Sequence, residues 1–332
     1  MGDTNASTEA FGGWSDEMKA TLAALEALME RDKLSRKNVA DLSGVPYGTF
    51  SSWVIGKYQG RSDEIATKLQ LWMDGYQQQR STRAALPGDP PFQMTQTAAA
   101  FLATLQMAQA LGTMAVISGG AGVGKTKAVC ECRRTTANVW VVTARADTAT
   151  MGAFLEAVCD ALGISERIAR RRAGACIGRL KDTGGLVVVD EAQHLTTEAL
   201  ELLRGIHDAS GVGMVVVGNE TVYSKLEGRG RTPEFAQLFS RIGRRTRRST
   251  PSRSDIDMMV AAWGITDAGQ VKLLRAIGQK PGALRNIRMT MRQAHLLAMG
   301  EGDEGVITED RIARAFSAIS DTAADTLARG GN

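Results

Sequence analysis

The stretch GGAGVGKT at residues 119–126 restricts the folds open to this chain more than any other feature. It satisfies G-x-x-x-x-G-K-[ST] in full, follows the strand-like run MAVIS and precedes KAVCECRR, which reads as helix. Strand, glycine loop and helix in that order predict an α/β core built on a parallel sheet. In such a core the loop amides and a helix N-terminus converge on phosphate oxygens. Gly119, Gly120, Ala121, Gly122, Val123 and Gly124 form the expected cradle, with Lys127 just beyond it in the nucleotide-binding set. Lys125 is placed to neutralise the β- and γ-phosphates and Thr126 to hold Mg2+. The expected cofactors are therefore a nucleoside triphosphate, ATP or GTP, and Mg2+.

Two further apolar runs end in polar residues. LVVVDE at residues 186–191 reads as a buried parallel strand, and ligands sit at the C-terminal ends of such strands. Asp190 is expected to act on Mg2+ through its outer shell, and Glu191 to polarise the attacking water. A carboxylate directly after the metal-linked acid favours a hydrolase over a passive nucleotide binder. MVVVGN at residues 214–219 ends in Asn219, which either holds the water or γ-phosphate from the sheet side or merely turns the chain.

At 332 residues the chain is long enough for two or three domains, and 43% hydrophobic content supports packed cores. The sequence has no apolar run of about 18 residues and no charged-then-apolar leader, so a soluble, cytoplasmic protein is expected. Cys130, Cys132, Cys159 and Cys176 form no C-x-x-C pair and only three histidines accompany them, which argues against structural zinc. They are read as reduced core thiols.

The net charge of +4 is unevenly spread. Residues 1–85 carry ten basic and eleven acidic side chains, and residues 251–332 carry ten of each. The excess lies between them, in a run holding Arg167, Arg170, Arg171 and Arg172 and in a second from Arg229 to Arg253 with eight arginines against Glu234. Such density implies a phosphate-bearing partner, although Arg167 to Arg172 also fit a solvated face.

The first block, residues 1–76, reads as short helices. Leu22, Leu25, Leu28 and Met29 keep helical spacing, and Ser35 caps a helix expected to carry Val39 and Leu42 inward. Gly44, Val45 and Pro46 make a tight turn into a second short helix from Tyr47 to Ile55. Ser62 starts another helix with Ile65, Leu69 and Trp72 on one side. LSRKNVADLSGVPYGTFSSWVIGK resembles lambda-repressor-like helix-turn-helix domains. That likeness implies that Tyr47, Thr49, Ser51, Ser52 and Lys57 face a DNA groove, the alternative being a protein-interaction domain of the same fold. QQQRSTRAALPGDPP at residues 77–91 reads as a linker, residues 92–250 as the ATPase core, and residues 251–332 as a small helical lid. Met258, Met259, Met289, Met291 and Met299 in the lid are read as core filler.

The three motif-bearing strands resemble those of AAA+ ATPases. Two other segments agree: LFSRIGRR at residues 238–245 resembles the arginine-finger segment, and PGALR at residues 281–285 the sensor-2 stretch. The resemblance implies that Arg241, with Arg244 as the alternative, acts on a neighbouring subunit's nucleotide, and that Arg285 meets its own. It also implies a homo-oligomer with sites between subunits. An N-terminal helix-turn-helix, a linker and this compact core, together with PFQMTQTAAA, VISGGAGVGKT and DEAQHL, resemble the phage Mu B-like transposition ATPases and, more distantly, TnsC and TniB. That family binds duplex DNA with ATP and little sequence preference and assembles on it as helical filaments. It presents the DNA to a DDE-type transposase, stimulates strand transfer and disassembles on hydrolysis. A helicase loader or replication initiator, and an ATP-switched helix-turn-helix regulator, are the alternatives.

Overall fold

The structure is a computed structural model that describes residues 13–85, 88–221, 241–303 and 305–320. The chain divides into two units, Met1–Pro87 and Gly88–Asn332.

In the first unit α1 (Asp16–Asp32), α2 (Arg36–Ser43), α3 (Tyr47–Val54) and α4 (Ser62–Ala85) surround one apolar cluster. Ser35 caps α2 by accepting from the Asn38 N–H, and Asn38 returns a contact to the Ser35 N–H. Gly44 then takes φ +67°, which stops the helix without the steric penalty of a Cβ. Phe50 and Trp53 of α3 are fully buried, and the Trp53 indole N–H donates to the Ser62 carbonyl at 3.0 Å. Truncating either ring to alanine removes about 3–5 kcal/mol of packing.

Two expectations change here. Leu42 is 55% exposed, and Ala40 is buried beside Val39 instead, because α2 turns its 39/40 edge to the core. The segment expected to be a linker from residue 77 remains helical through Ala85. Gln, Arg and Ala are good helix formers, and Arg80 pairs with Asp32 at the end of α1, which holds that stretch in place.

The second unit starts with an extended segment and α5 (Gln96–Leu111). It continues through β1 (Met114–Gly119), α6 (Lys125–Thr135), β2 (Val139–Thr143), α7 (Met151–Leu162), α8 (Ala169–Leu180), β3 (Leu186–Asp190), α9 (Thr197–Ser210), β4 (Gly213–Gly218) and β5 (Ile242–Arg248). The strands form one sheet in the order β2-β3-β4-β1-β5, and every pairing is parallel. Side chains alternate between its faces. Val116, Val187, Val189, Met214 and Val216 pack on α7, α8 and α9, while Ala115, Ile117, Val188, Val215 and Val217 pack on α5 and α6. Burial on both faces explains why β3 and β4 read as unbroken apolar runs.

β5 is an edge strand with a different composition. Thr246 is buried and shares a 2.7 Å hydroxyl hydrogen bond with Thr104 of α5, whereas Arg244, Arg245, Arg247 and Arg248 are exposed. Charge along an open edge blocks pairing with stray strands.

After the sheet come α10 (Arg253–Ala262), α11 (Ala268–Gly278), α12 (Ala283–Gly300) and α13 (Glu309–Ser317), which bury Ile256, Leu274, Ile277, Ile287, Met291 and Phe316 in their own cluster. Of the lid methionines expected to be core filler, Met291 is fully buried, while Met258 and Met289 are more than 40% exposed. Asp255, fully buried at the start of α10, fastens this lid to the core. It accepts from the Thr97 N–H (3.2 Å) and hydroxyl (2.5 Å) of α5 and from the Ser252 N–H (2.9 Å). Burial pushes its carboxyl up, but these donors outweigh that and hold it below its ordinary value.

Among the cysteines, Cys132, Cys159 and Cys176 are buried, with the last two sulfurs 3.5 Å apart. Cys130 is exposed and is not a core thiol, because it lies on the outward side of α6. No helix of the described residues is long and apolar enough to cross a membrane.

Candidate nucleotide site

β1 ends at Gly119 in the middle of the sheet, and the loop that follows is tightly enclosed by protein. The Gly120 N–H donates to the Arg248 carbonyl at 3.1 Å. A Cβ on Gly119 would lie 3.1 Å from the Arg248 carbonyl carbon, and one on Gly120 would lie 3.3 Å from that of Ser249. Both glycines are therefore required by the approach of β5 as well as by any phosphate. Gly122, at φ +78°, lies against the start of α12, where a Cβ would come 2.6 Å from the Gly282 carbonyl carbon and 3.2 Å from the Arg285 Cβ. Gly124, at φ +99° with open space around it, turns the chain into α6. Val123 is buried in the core, Ala121 and Lys127 are exposed, and Lys127 adds a small part to the lowering of the Asp89 carboxyl that Arg288 chiefly causes.

Lys125 donates to the carbonyls of Gly119 and Gly120, each at 2.8 Å, so its ammonium spans the loop. Burial lowers its pKa, the carboxylates of Glu191 and Asp190 oppose that, and Arg285 adds to the lowering. Arg285 thus lies within electrostatic reach of Lys125 and the loop.

Asp190, buried at the end of β3, accepts from the Thr126 hydroxyl (2.8 Å) and from the Glu191 N–H (2.9 Å). Burial pushes its carboxyl above the ordinary value despite these donors. Glu191 follows at φ +55°, a conformation that non-glycine residues rarely hold. Its carboxylate accepts from the Gln193 amide. Asn219 stands one residue past β4 and is exposed, and its Oδ1 accepts from the Thr221 N–H (3.0 Å) and hydroxyl (2.5 Å). Lys125, Thr126, Asp190, Glu191 and Asn219 therefore all sit at the C-terminal end of the three central strands. The arrangement offers loop amides and two cations to an anion, and a hydroxyl–carboxylate pair beside a second carboxylate for hydrolysis.

Arg241 lies elsewhere. β5 runs parallel to β1 with Ile242 level with Met114 and Arg248 level with Gly119. Arg241 is consequently about six residues of strand, roughly 20 Å, from its own glycine loop. Its Nε donates to Asp208 of α9 at 2.9 Å. Arg244 is exposed on β5 and touches the Met107 sulfur. Residues 238–240 of the finger segment, and Arg229 and Arg231 of the second basic run, lie outside the described residues.

In the first basic run Arg167, Arg170 and Arg171 are exposed, whereas Arg172 is held by the Glu166 carbonyl and Glu156, each at 3.2 Å. Three arginines occupy the first turn of α8 with no acid there, although a helix N-terminus disfavours cations. In the first unit Tyr47 and Lys57 are exposed, and Thr49, Ser51 and Ser52 are half-buried on α3.

Two features at the site were not anticipated from sequence. Gln193 bridges Glu191 and the Asn219 backbone, and its place two residues past Glu191 in a tight turn was the available signal. The Gly122–Gly282 approach had no signal beyond the two glycines themselves.

A parallel sheet with this strand order, a complete glycine loop and an Asp-Glu strand end define an AAA-type P-loop ATPase. A family model described as "AAA domain" matches residues 109–226, and one described as "Mu B transposition protein, C terminal" matches residues 240–319. The chain is 38% identical over 312 residues to the ATP-dependent target DNA activator B of Escherichia phage Mu, spanning 92% of this chain and 97% of that protein. It is 33% identical to the Mu-like prophage FluMu DNA transposition protein B of Haemophilus influenzae, spanning 80% and 93%. The chain belongs to the Mu B family of transposition proteins. Among solved structures, Drosophila ORC bound to DNA shares the fold at TM-score 0.50 and 14% identity, covering 75% of this chain and 67% of that one.

Proposed function

We propose that this protein is a target-DNA activator: with ATP bound it coats duplex DNA with little sequence preference, as a helical filament, and offers that DNA to a DDE-type transposase in the cytoplasm of a bacterial host. In this reading strand transfer is stimulated while ATP is held, and hydrolysis drives disassembly. The observation that carries the reading is the intact hydrolytic constellation of Lys125, Thr126, Asp190 and Glu191 in a chain that matches a phage Mu target DNA activator along nearly its whole length.

The donor set also suits Mg2+. A hydroxyl and a carboxylate 2.8 Å apart are hard oxygen donors, and burial raises the Asp190 carboxyl despite the donors it accepts from. Among the described residues no group of three or more His, Cys, Asp or Glu side chains could hold a metal alone, so phosphate oxygens would complete the shell. Bound there, the cation would offset negative charge on the β- and γ-phosphates.

The protein's own groups take the remaining roles. Loop amides from Gly119 to Gly124 and the N-terminus of α6 bind and orient the phosphates, Lys125 and Arg285 oppose their charge, and Lys127 adds to the field. Glu191 accepts hydrogen-bonding from the attacking water and Asn219 fixes that water or the γ-phosphate. Arg241, too far from its own loop, serves a neighbouring subunit, with Arg244 as the alternative. Sequence-independent DNA binding requires phosphate contacts, and Arg167, Arg170 and Arg171 on α8 are the exposed cations offered for it. Arg172 contributes less, since it is already engaged. For α3, Tyr47, Thr49, Ser51, Ser52 and Lys57 form a candidate groove-facing set.

Electron microscopy of the full chain with random-sequence duplex DNA tests the proposal. Filaments in ATP that are lost in ADP and at high salt are the expected result. Discrete particles at one locus, or no DNA association in ATP, would replace it with an initiator or a regulator.

A further inference from the structure

The side chain of Gln193 has no part in the mechanism above, yet it links two groups to which that mechanism gives roles. It lies in a single turn of 3-10 helix, Ala192–His194, directly after Glu191, and is half-buried. Its Nε2 donates to Glu191 Oε2, and its Oε1 accepts the backbone N–H of Asn219 at 3.3 Å. Only a side-chain amide among residues of this length has a donor and an acceptor at one end that satisfy a carboxylate and an N–H together.

The strand register explains why one side chain reaches both. Val189 of β3 is level with Val216 of β4, so Glu191 and Asn219 leave adjacent strands two and three residues further on. Both ends are already bound to their own surroundings. The Glu191 backbone is fixed in the left-handed region by its N–H to Asp190 Oδ1 and by the His194 N–H to its carbonyl at 3.1 Å. Asn219 is fixed by the contacts of its Oδ1 with Thr221. Gln193 therefore ties the Glu191 carboxylate to the Asn219 segment.

We infer that Gln193 is a positioning residue for hydrolysis: it sets the Glu191 carboxylate relative to the Asn219 segment and makes the orientation of Glu191 depend on what Asn219 meets. The inference rests on Glu191 being the group that activates water. Gln193 touches neither phosphate nor water in this scheme, so its loss acts on turnover and leaves nucleotide affinity alone.

The test is steady-state ATP hydrolysis by the full-length protein with and without duplex DNA, alongside binding of a fluorescent ATP analogue and thermal unfolding. The variants are Gln193→Ala, Gln193→Met, which keeps the volume and loses both hydrogen bonds, and Glu191→Gln. Both Gln193 variants are expected to lose kcat by about 10- to 100-fold, the scale of a misplaced catalytic group, at parental KM, analogue affinity and melting temperature. Parental kcat in Gln193→Met would overturn the inference by showing that the residue only fills space. A rise in KM or a fall in melting temperature that accounts for the whole loss would overturn it too. If Glu191→Gln hydrolyses ATP at the parental rate, the underlying assignment of Glu191 fails instead. An inactive Glu191→Gln beside an unimpaired Gln193→Met removes only the role of Gln193.

Discussion

Gly122→Ala tests whether contact between the glycine loop and the lid belongs to the nucleotide-binding state. The added methyl meets backbone: it would stand 2.6 Å from the Gly282 carbonyl carbon, nearer still to its oxygen, and 3.2 Å from the Arg285 Cβ. Alanine at φ +78° also carries a left-handed penalty of about 1–2 kcal/mol. Forcing a methyl into a closed contact adds about 1–3 kcal/mol, for roughly 2–5 kcal/mol together. The strain remains even if α12 retreats, and its retreat takes Arg285 away from the loop. The strain is common to the free and bound states, so only the contact cost bears on binding. Because about 1.4 kcal/mol is a factor of ten, affinity for a fluorescent ATP analogue should fall by about 5-fold or more. Gly174→Ala is the control. It sits within α8 with nothing within 4 Å of the new methyl and should stabilise the protein by about 0.5–1 kcal/mol without changing nucleotide affinity. If Gly122→Ala bound the analogue within about threefold of the parent, the contact between loop and lid would be irrelevant to binding.

Other perturbations address other parts of the molecule. Asp255→Ala leaves the Thr97 and Ser252 donors unpaired in the core and should cost about 3 kcal/mol in a denaturant titration. A loss below about 0.5 kcal/mol would show that the lid is fastened elsewhere. In the first unit Arg31, helped by Arg80, holds the Asp32 carboxyl down at about 2. A carboxyl depressed on folding stabilises above its unfolded pKa and loses that contribution as pH falls through the folded one. The stability gap between the parent and Arg80→Ala should therefore narrow steadily from about pH 4 to about pH 2, and a gap independent of pH would refute the pairing. Arg241→Ala should fold and bind ATP yet hydrolyse it about a thousandfold more slowly, with partial recovery on mixing with Glu191→Gln subunits. Normal hydrolysis by Arg241→Ala alone would remove its assignment as a finger.

The parts legible in sequence are those fixed by local chemistry. GGAGVGKT prescribes strand, loop and helix from within eight residues, and three apolar runs ending at Gly119, Asp190 and Asn219 announce buried parallel strands. The capping pattern at Ser35 and the turn at Gly44 are equally local. What was missed depends on residues distant in sequence or on competing tendencies. Asp255 and Thr97 are 158 positions apart, and neither has a pattern that identifies the other. IGRRTRR lacks the apolar alternation of a half-buried strand because β5 buries Thr246, and Ile242 only in part, while its arginines line an open edge. α4 continued to Ala85 because its pairing with the end of α1 outweighed a polar composition that resembles a linker.

In the function proposed above, nucleotide state at the Lys125–Asp190–Glu191 site governs the grip on DNA. The most direct measurement is the lifetime of single complexes on random-sequence duplex DNA in ATP, for the parent and for Glu191→Gln. Glu191→Gln keeps the glycine loop and the Thr126–Asp190 pair but loses the carboxylate assigned to water activation. Parental complexes should dissociate as ATP turns over, and Glu191→Gln complexes should persist until ATP is exchanged for ADP. Equal lifetimes for the two proteins, with hydrolysis abolished only in the variant, would mean that turnover does not release DNA and would contradict the claim.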